Sequence, residues 1–217
     1  VTITGDAFTN TVTVNGITGT FSAAQWQFSN WTSGVDALNF FGDGSANTIT
    51  GTTQSDFIDG GGGADTLYGG LGNDSLSGAG GADQLFGEDG DDNLRGDSGD
   101  NSFRGLGGND TIIGGDGFDE VRYDFDAANG GVGGVTVNLL TGTATDGFGN
   151  TDTLSSIETV RGTANVDLMI GGVEANFGSE IFRGLGGNDT IHGGGGYDEL
   201  RYDLDATWGG AAGITAN

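Results

Sequence analysis

The sequence predicts an all-β solenoid of stacked parallel strands, and three observations predict it. A nine-residue phrase repeats without a gap from Gly42 to Arg122, starting at Gly42, Gly51, Gly60, Gly69, Gly78, Gly87, Gly96, Gly105 and Gly114. Its eighth position is always large and apolar: Ile49, Ile58, Leu67, Leu76, Leu85, Leu94, Phe103, Ile112 and Val121. Its sixth position is an aspartate or an asparagine that closes a glycine-rich turn, as in GGGGADTLY from Gly60 and GEDGDDNLR from Gly87.

Each phrase divides into a six-residue turn and a strand triplet. Within the triplet one side chain points inward while positions seven and nine face out, as strand alternation requires. Two phrases then make one eighteen-residue coil, with two thin parallel sheets closing over a narrow core. In such a coil Asp56, Asp74, Asp92 and Asp110 stack along one edge, while Asp65, Asp83 and Asp119 share the other with Asn47 and Asn101. Coils about 4.8 Å apart set bare carboxylates against each other at about 1 kcal/mol per pair even in bulk water, and more where water is excluded. A divalent ion between them removes that cost. Calcium suits, since it accepts six or more oxygens in flexible geometry and a glycine turn can aim carbonyls beside the carboxylate. Magnesium demands a tighter octahedron, and zinc wants His or Cys. The chain has no Cys and one His.

At these residues the sequence resembles the RTX (repeats-in-toxin, haemolysin-type) calcium-binding nonapeptide-repeat family. The resemblance implies a right-handed parallel β-roll solenoid, here with an N-terminal β cap and an insert between two repeat blocks. It further implies several Ca2+ ions, each held between turns two phrases apart. One turn would give the carbonyls of positions one and three with its aspartate, and the other the carbonyls of positions two and four with its own. Carried onto this chain, the candidate ligands are Gly60, Gly61, Gly62, Gly63 and Asp65; Gly69, Gly70, Leu71, Gly72 and Asp74; Gly78, Ala79, Gly80, Gly81 and Asp83; Gly87, Glu88, Asp89, Gly90 and Asp92; and Gly105, Leu106, Gly107, Gly108 and Asp110. Asp56, Asp119, Asp189 and Asp198 join them through their side chains. Sites would pair Asp65 with Asp83, Asp56 with Asp74, Asp74 with Asp92, and Asp92 with Asp110. Asn101 breaks the pattern, so the sites flanking it are expected to be weaker or differently filled. The phrases GDGSANTIT and GTTQSDFID have lost most of their glycines and suit structural coils better than metal turns.

The expected domains are an N-terminal β cap over 1–41, a first roll over 42–122, an insert with strands over 123–161, and a second block over 162–217. In the first, TVTV, Asn15-Gly16 and ITGTF carry a hairpin signature, because Asn-Gly suits a type I′ turn. Phe21, Trp26, Phe28, Trp31, Val35, Leu38 and Phe40 then supply an apolar segment able to cover the open end of a solenoid. A sugar-stacking platform at Trp26 and Trp31 is the sharper alternative.

All six basic residues are arginines that close a triplet: Arg95, Arg104, Arg122, Arg161, Arg183 and Arg201. Ninth positions at eighteen-residue steps place Arg104 over Phe86 as a cation–π contact. From Tyr123 to Val160 the frame stops, with a strand expected at Val135 to Leu140 and an apolar triplet around Ile157. It resumes at Gly162, slips by four residues, and continues through Glu180, Gly184 and Gly193. The acid Glu180 leaves its own site in doubt. A longer repeat matches Phe103–Asn138 to Phe182–Asn217 at an offset of 79 residues. The chain thus ends where a second copy of the Val135 strand begins, which suggests a continuing array or completion by another chain. The first residue, Val1, suggests an excised or processed piece.

The formal charge of −25 argues against nucleic acid and anionic membrane as partners. No apolar run of membrane-spanning length occurs, and no charged-then-apolar signal opens the chain. Gly96-Asp97-Ser98-Gly99-Asp100 looks like a serine-protease nucleophile loop but falls in register as positions one to five of a phrase, with His192 the only histidine. No G-x-S-x-G elbow or H-E-x-x-H pair occurs. Position seven is too mixed to form an ice-binding threonine face. The expectation is a non-enzymatic, calcium-dependent structural module of a secreted or cell-surface bacterial protein, with type I secretion implied by the resemblance. The alternatives are a self-assembling subunit of a fibre, matrix or surface layer joined through open coil edges, and an accessory module of an exported protease or polysaccharide-modifying enzyme.

Overall fold

The computed structural model describes residues 2–4, 11–29, 37–172, 179–201 and 215–216. Within these the chain winds between two long sheets, so that through the first repeat block each triplet pairs with the triplet eighteen residues away. Leu67 pairs with Leu85 and Leu85 with Phe103 in one sheet, while Leu76 pairs with Leu94 and Leu94 with Ile112 in the other. All nine eighth-position side chains are buried at 1% exposure or less. They form one continuous apolar column, extended by Val160, Met169, Phe182 and Ile191.

The first sheet has nine strands in the order Thr20–Ser22, Thr48–Thr52, Thr66–Leu71, Gln84–Asp89, Ser102–Gly107, Glu120–Arg122, Thr159–Arg161, Ile181–Arg183 and Glu199–Leu200. Every pairing in it is parallel. The second sheet has twelve strands. It runs from Thr11–Ile17 through Ala37–Gly42, Asp56–Asp59, Ser75–Ser77, Asn93–Ser98 and Thr111–Asp116 to Thr151–Ser155. It then continues through Thr143–Thr145, Thr136–Asn138, Leu168–Ile170, Thr190–His192 and Thr215–Ala216. A separate parallel pair joins Thr2–Thr4 to Gln27–Ser29.

The interruption of the nonapeptide frame is a local detour and not an end of the solenoid. After Glu120–Arg122 the chain passes through a short 3-10 turn at Asp126–Asn129, then makes Thr136–Asn138 and Thr143–Thr145 as an antiparallel pair. Thr151–Ser155 then pairs in parallel with Thr111–Asp116, and Thr159–Arg161 with Glu120–Arg122, which completes a coil. The second sheet thereby gains two strands that the first lacks. The expected strand at Val135 to Leu140 is Thr136–Asn138. The expected triplet around Ile157 is Thr159–Arg161 centred on Val160, with Ile157 buried in the preceding turn.

Asn15-Gly16 does not turn a hairpin. Both residues lie inside Thr11–Ile17, where the pairing with Ala37–Gly42 shifts register between Val14 and Ile17, and Gly16 adopts φ 63°. The following strand, Thr20–Ser22, belongs to the other sheet. Parallel pairing to a neighbouring coil outweighs the local turn preference, and Asn-Gly supplies a bulge instead. Phe21, Trp26 and Phe40 pack edge to face and tilted at centroid separations of 5.4–6.0 Å. Trp31 and Val35 lie outside the described residues.

Candidate metal centre

The turns between the sheets form two ladders of side chains, and each rung is tied to the next by a hydrogen bond absent from the sequence reading. The sixth-position backbone N–H of one coil donates to one side-chain oxygen of the sixth position in the next coil. On one edge Asn47 N donates to Asp65 Oδ1 at 2.7 Å, Asp65 N to Asp83 at 2.8 Å, Asp83 N to Asn101 at 3.0 Å and Asn101 N to Asp119 at 2.8 Å. On the other, Asp56 N donates to Asp74, Asp74 N to Asp92 and Asp92 N to Asp110, at 2.8–2.9 Å. The ladders run into the detour. Asp110 N donates to Asp152 Oδ1 and Asp119 N to Glu158 Oε2, two acids that carry no visible nonapeptide frame. Beyond it Asp167 N donates to Asp189 Oδ1, and Glu180 N to Asp198 Oδ1.

Only one carboxylate oxygen is used this way. The second, Oδ2 of Asp65, Asp74, Asp83, Asp92, Asp110 and Asp119, is buried and has no hydrogen-bond donor. A buried carboxylate oxygen without a donor is costly in its charged form. Burial accordingly pushes Asp74 up to about 9, Asp92 and Asp110 to about 7 and Asp83 to about 6, from an ordinary 3.8, with neighbouring carboxylates adding to the rise. Asp65 and Asp119 move in the same direction for the same first cause.

The glycines make this burial possible. Oδ2 of each of these aspartates lies against the α-carbon of its own position-one glycine, so that a Cβ at Gly60, Gly69, Gly78, Gly87 or Gly105 would collide with it. Positions two and four have positive φ but differ in kind. Position two reaches 91–110° where it is glycine, at Gly61, Gly70 and Gly115, but relaxes to 65–77° at Ala79, Glu88, Asp97 and Leu106, the left-handed region that other residues can enter at a cost. Position four reaches 105–150° at Gly63, Gly72, Gly81, Gly90, Gly99, Gly108 and Gly117, which needs glycine. Each position-four glycine from Gly81 to Gly117 also packs directly on the position-four carbonyl of the preceding coil.

Some turns supply protein donors to their sixth residue, although Asp56 Oδ1 is buried without a partner. Asp56 Oδ2 accepts both the N–H and the hydroxyl of Thr52, at 2.6 and 3.0 Å. Asp167 accepts the N–H of Thr163 at Oδ2 and its hydroxyl at Oδ1, both at 2.8 Å, and Val135 N also donates to Oδ1. Asp152 Oδ2 accepts the Tyr123 hydroxyl at 3.1 Å. Asn101 turns its Nδ2 toward the position-four carbonyl of Gly99 and donates to it at 2.7 Å.

The donor set fits a hard cation held mainly by oxygens. No three His, Cys, Asp or Glu side chains among the described residues converge to hold a metal ion, so carboxylates alone do not make a site. Backbone carbonyls from the glycine turns must supply the remaining ligands. That combination suits calcium and excludes a zinc site built on His and Cys.

A coiled all-β solenoid whose edges are glycine turns closing on stacked carboxylates defines a class of metal-binding repeat module. The family described as RTX calcium-binding nonapeptide repeat (4 copies) matches residues 41–76, 64–94, 71–103, 86–121 and 174–206, together more than half the chain. The chain belongs to this family. No curated protein matches it.

Proposed function

We propose that this chain is a non-enzymatic structural module that takes up several calcium ions between its coils and folds as it does so. The observation that carries this reading is the row of buried, donorless Oδ2 atoms from Asp65 to Asp119. Each would be a ligand, with carbonyls of the surrounding turns completing the shell: the turns beginning at Gly60, Gly69, Gly78, Gly87 and Gly105, joined by Asp119. Calcium, when bound, supplies the positive charge that these stacked carboxylates otherwise lack. The protein's part is to hold one oxygen of each carboxylate on a backbone N–H so that the other stays aimed into the gap between coils. Asp56 is a weaker ligand because Thr52 already serves its Oδ2. Asp189 and Asp198 extend the same arrangement into the second block.

In chelator the circular dichroism spectrum is expected to be mostly coil, and in calcium mostly β, with a midpoint on the order of 10⁻⁴ to 10⁻³ M as in extracellular modules. Identical spectra in the two conditions overturn the reading. The acidic composition and the family support a secreted or cell-surface setting in a bacterium. No helix among the described residues is long and apolar enough to cross a membrane. In this proposal residues 1–41 cover the first coil, and the Phe21, Trp26 and Phe40 cluster supports that role.

A second reading, self-assembly through open sheet edges, is favoured by one pairing. Thr136–Asn138 pairs with Leu168–Ile170, whereas its counterpart 79 residues on, Thr215–Ala216, pairs with Thr190–His192. The two copies of this strand thus take different kinds of neighbour, which suits a strand able to add to more than one coil edge. Light scattering in calcium separates the readings, since an isolated module stays monomeric at micromolar concentration.

A further inference from the structure

We infer that Asn101 makes the turn from Gly96 to Asn101 a calcium-free station, its amide nitrogen taking the place of the carboxylate oxygen that would otherwise face a cation and donating directly to the fourth-position carbonyl. This rests on the calcium reading above and says where that reading stops applying.

Asn101 Oδ1 accepts Asp83 N–H at 3.0 Å, the role played by Oδ1 in the flanking aspartates. That donor fixes the oxygen, so the other terminal atom is nitrogen and its orientation is not arbitrary. Nδ2 then lies against the α-carbon of Gly96, as Oδ2 of Asp83 and Asp92 lie against Gly78 and Gly87. In the aspartate turns that atom is a buried oxygen with no donor, whereas in this turn it donates 2.7 Å to Gly99 O. Two oxygens at that separation would repel unless a cation lay between them. An amide and a carbonyl need none. Thr52, Tyr123 and Thr163 provide a similar service at Asp56, Asp152 and Asp167 with hydroxyl and N–H donors. Asn101 differs in lying inside a ladder, between Asp83 and Asp119, where it divides one row of carboxylates in two. Both ends of the Asn101 amide are thus met by backbone groups, so this side chain needs no ion to be satisfied.

The test is calcium counting on the full chain, by equilibrium dialysis with elemental analysis, for the parent and for Asn101→Asp and Asn101→Ala. Asn101→Asp is expected to take up at least one more calcium per chain than the parent and to need more calcium to reach half-maximal β signal. An unchanged count overturns the inference. Asn101→Ala is expected to keep the parent's count while unfolding at a lower urea concentration than the parent in saturating calcium. A lower count means that Asn101 is itself a ligand, which also overturns it and decides the matter even if Asn101→Asp fails to fold. A parent chain that binds no calcium defeats the underlying reading, an outcome distinct from either.

Discussion

The backbone N–H of Asp74 donates to Oδ1 of Asp92 in the next coil at 2.8 Å, while Oδ2 of Asp92 has no donor at all. One carboxylate thus does two separate jobs, a structural one through the first oxygen and an ionic one through the second. Asp92→Asn separates them. It keeps the acceptor, replaces the ion-facing oxygen with a donor, and removes a buried charge. The expected result is at least one fewer calcium ion per chain together with more β signal than the parent in chelator, because the buried charge is gone. Asp92→Ala, which loses the acceptor as well, should be less stable than the parent in saturating calcium. Equal calcium counts for Asp92→Asn and the parent would contradict the assignment.

Metal-free chain should respond to acid in the direction opposite to ordinary acid denaturation. Burial holds Asp83, Asp92, Asp110 and Asp74 at about 6, 7, 7 and 9, whereas unfolded aspartate titrates near 3.9. Folded pKa values above unfolded ones mean that the folded state binds more protons. The linked stability is fully present below about pH 4 and is lost as pH rises through 6 to 9. In chelator, β signal is therefore expected to be greater near pH 5 than near pH 8. Calcium added near neutral pH should release protons, which a weakly buffered titration detects. An apo signal that grows steadily from pH 5 to pH 8 would count against this.

Positions two and four of the turn should respond differently to the same kind of change. A Cβ at Gly90, with φ 145°, would collide with Gly72 O, and Gly90→Ala should abolish cooperative folding of the first block in calcium. Ala79, with φ 65°, already bears a Cβ in the left-handed region. Ala79→Gly relieves about 1–2 kcal/mol of strain against about 1 kcal/mol of added chain entropy, so its net effect should stay within about 1 kcal/mol of zero. Urea midpoints in saturating calcium provide the comparison.

Arg104 lies between two rings, 4.9 Å from the Phe86 centroid and 4.5 Å from that of Phe125, and is 5% exposed. Phe86 in turn stacks on Tyr68 at 4.6 Å. Since Phe125 precedes the 3-10 turn, Arg104 fastens the start of the detour to the face of the first sheet. Arg104→Ala should destabilise the chain by about 1–2 kcal/mol and speed amide exchange selectively at residues 125–133. Arg104→Lys should restore the charge without restoring protection, because an ammonium lacks the planar faces that stack on both rings.

Much of this architecture can be read from residue type and spacing. The column from Ile49 to Val121 is buried as the period requires, and Arg104 lies over Phe86 as the ninth-position register implies. The ladder roles of Asp152 and Glu158 were hidden because the detour separates them from Asp110 and Asp119 by 42 and 39 residues, where an unbroken frame would give 18. The hydroxyl clamps did leave a trace. Gly51-Thr52 before Asp56 and Gly162-Thr163 before Asp167 share the same spacing, with Thr where other turns carry the second residue of the glycine run. Asn15-Gly16 misled because turn preference is local, while strand pairing here is decided by a coil more than twenty residues away. The direction of the rung hydrogen bonds has no signature in the sequence, since a stacked aspartate reads the same whichever neighbour it serves.

That direction gives the solenoid unlike ends. Wherever a run of coils stops on the side of higher residue numbers, its last rung presents an amide hydrogen in want of an acceptor. Where it stops on the other side at an aspartate, the oxygen that would accept a rung bond has no donor, as at Asp56 Oδ1, whereas the row that begins at Asn47 presents an amide. Added coils therefore meet different chemistry at the two faces, so growth, capping and fraying of the roll have a built-in polarity, as in a filament with distinct leading and trailing tips.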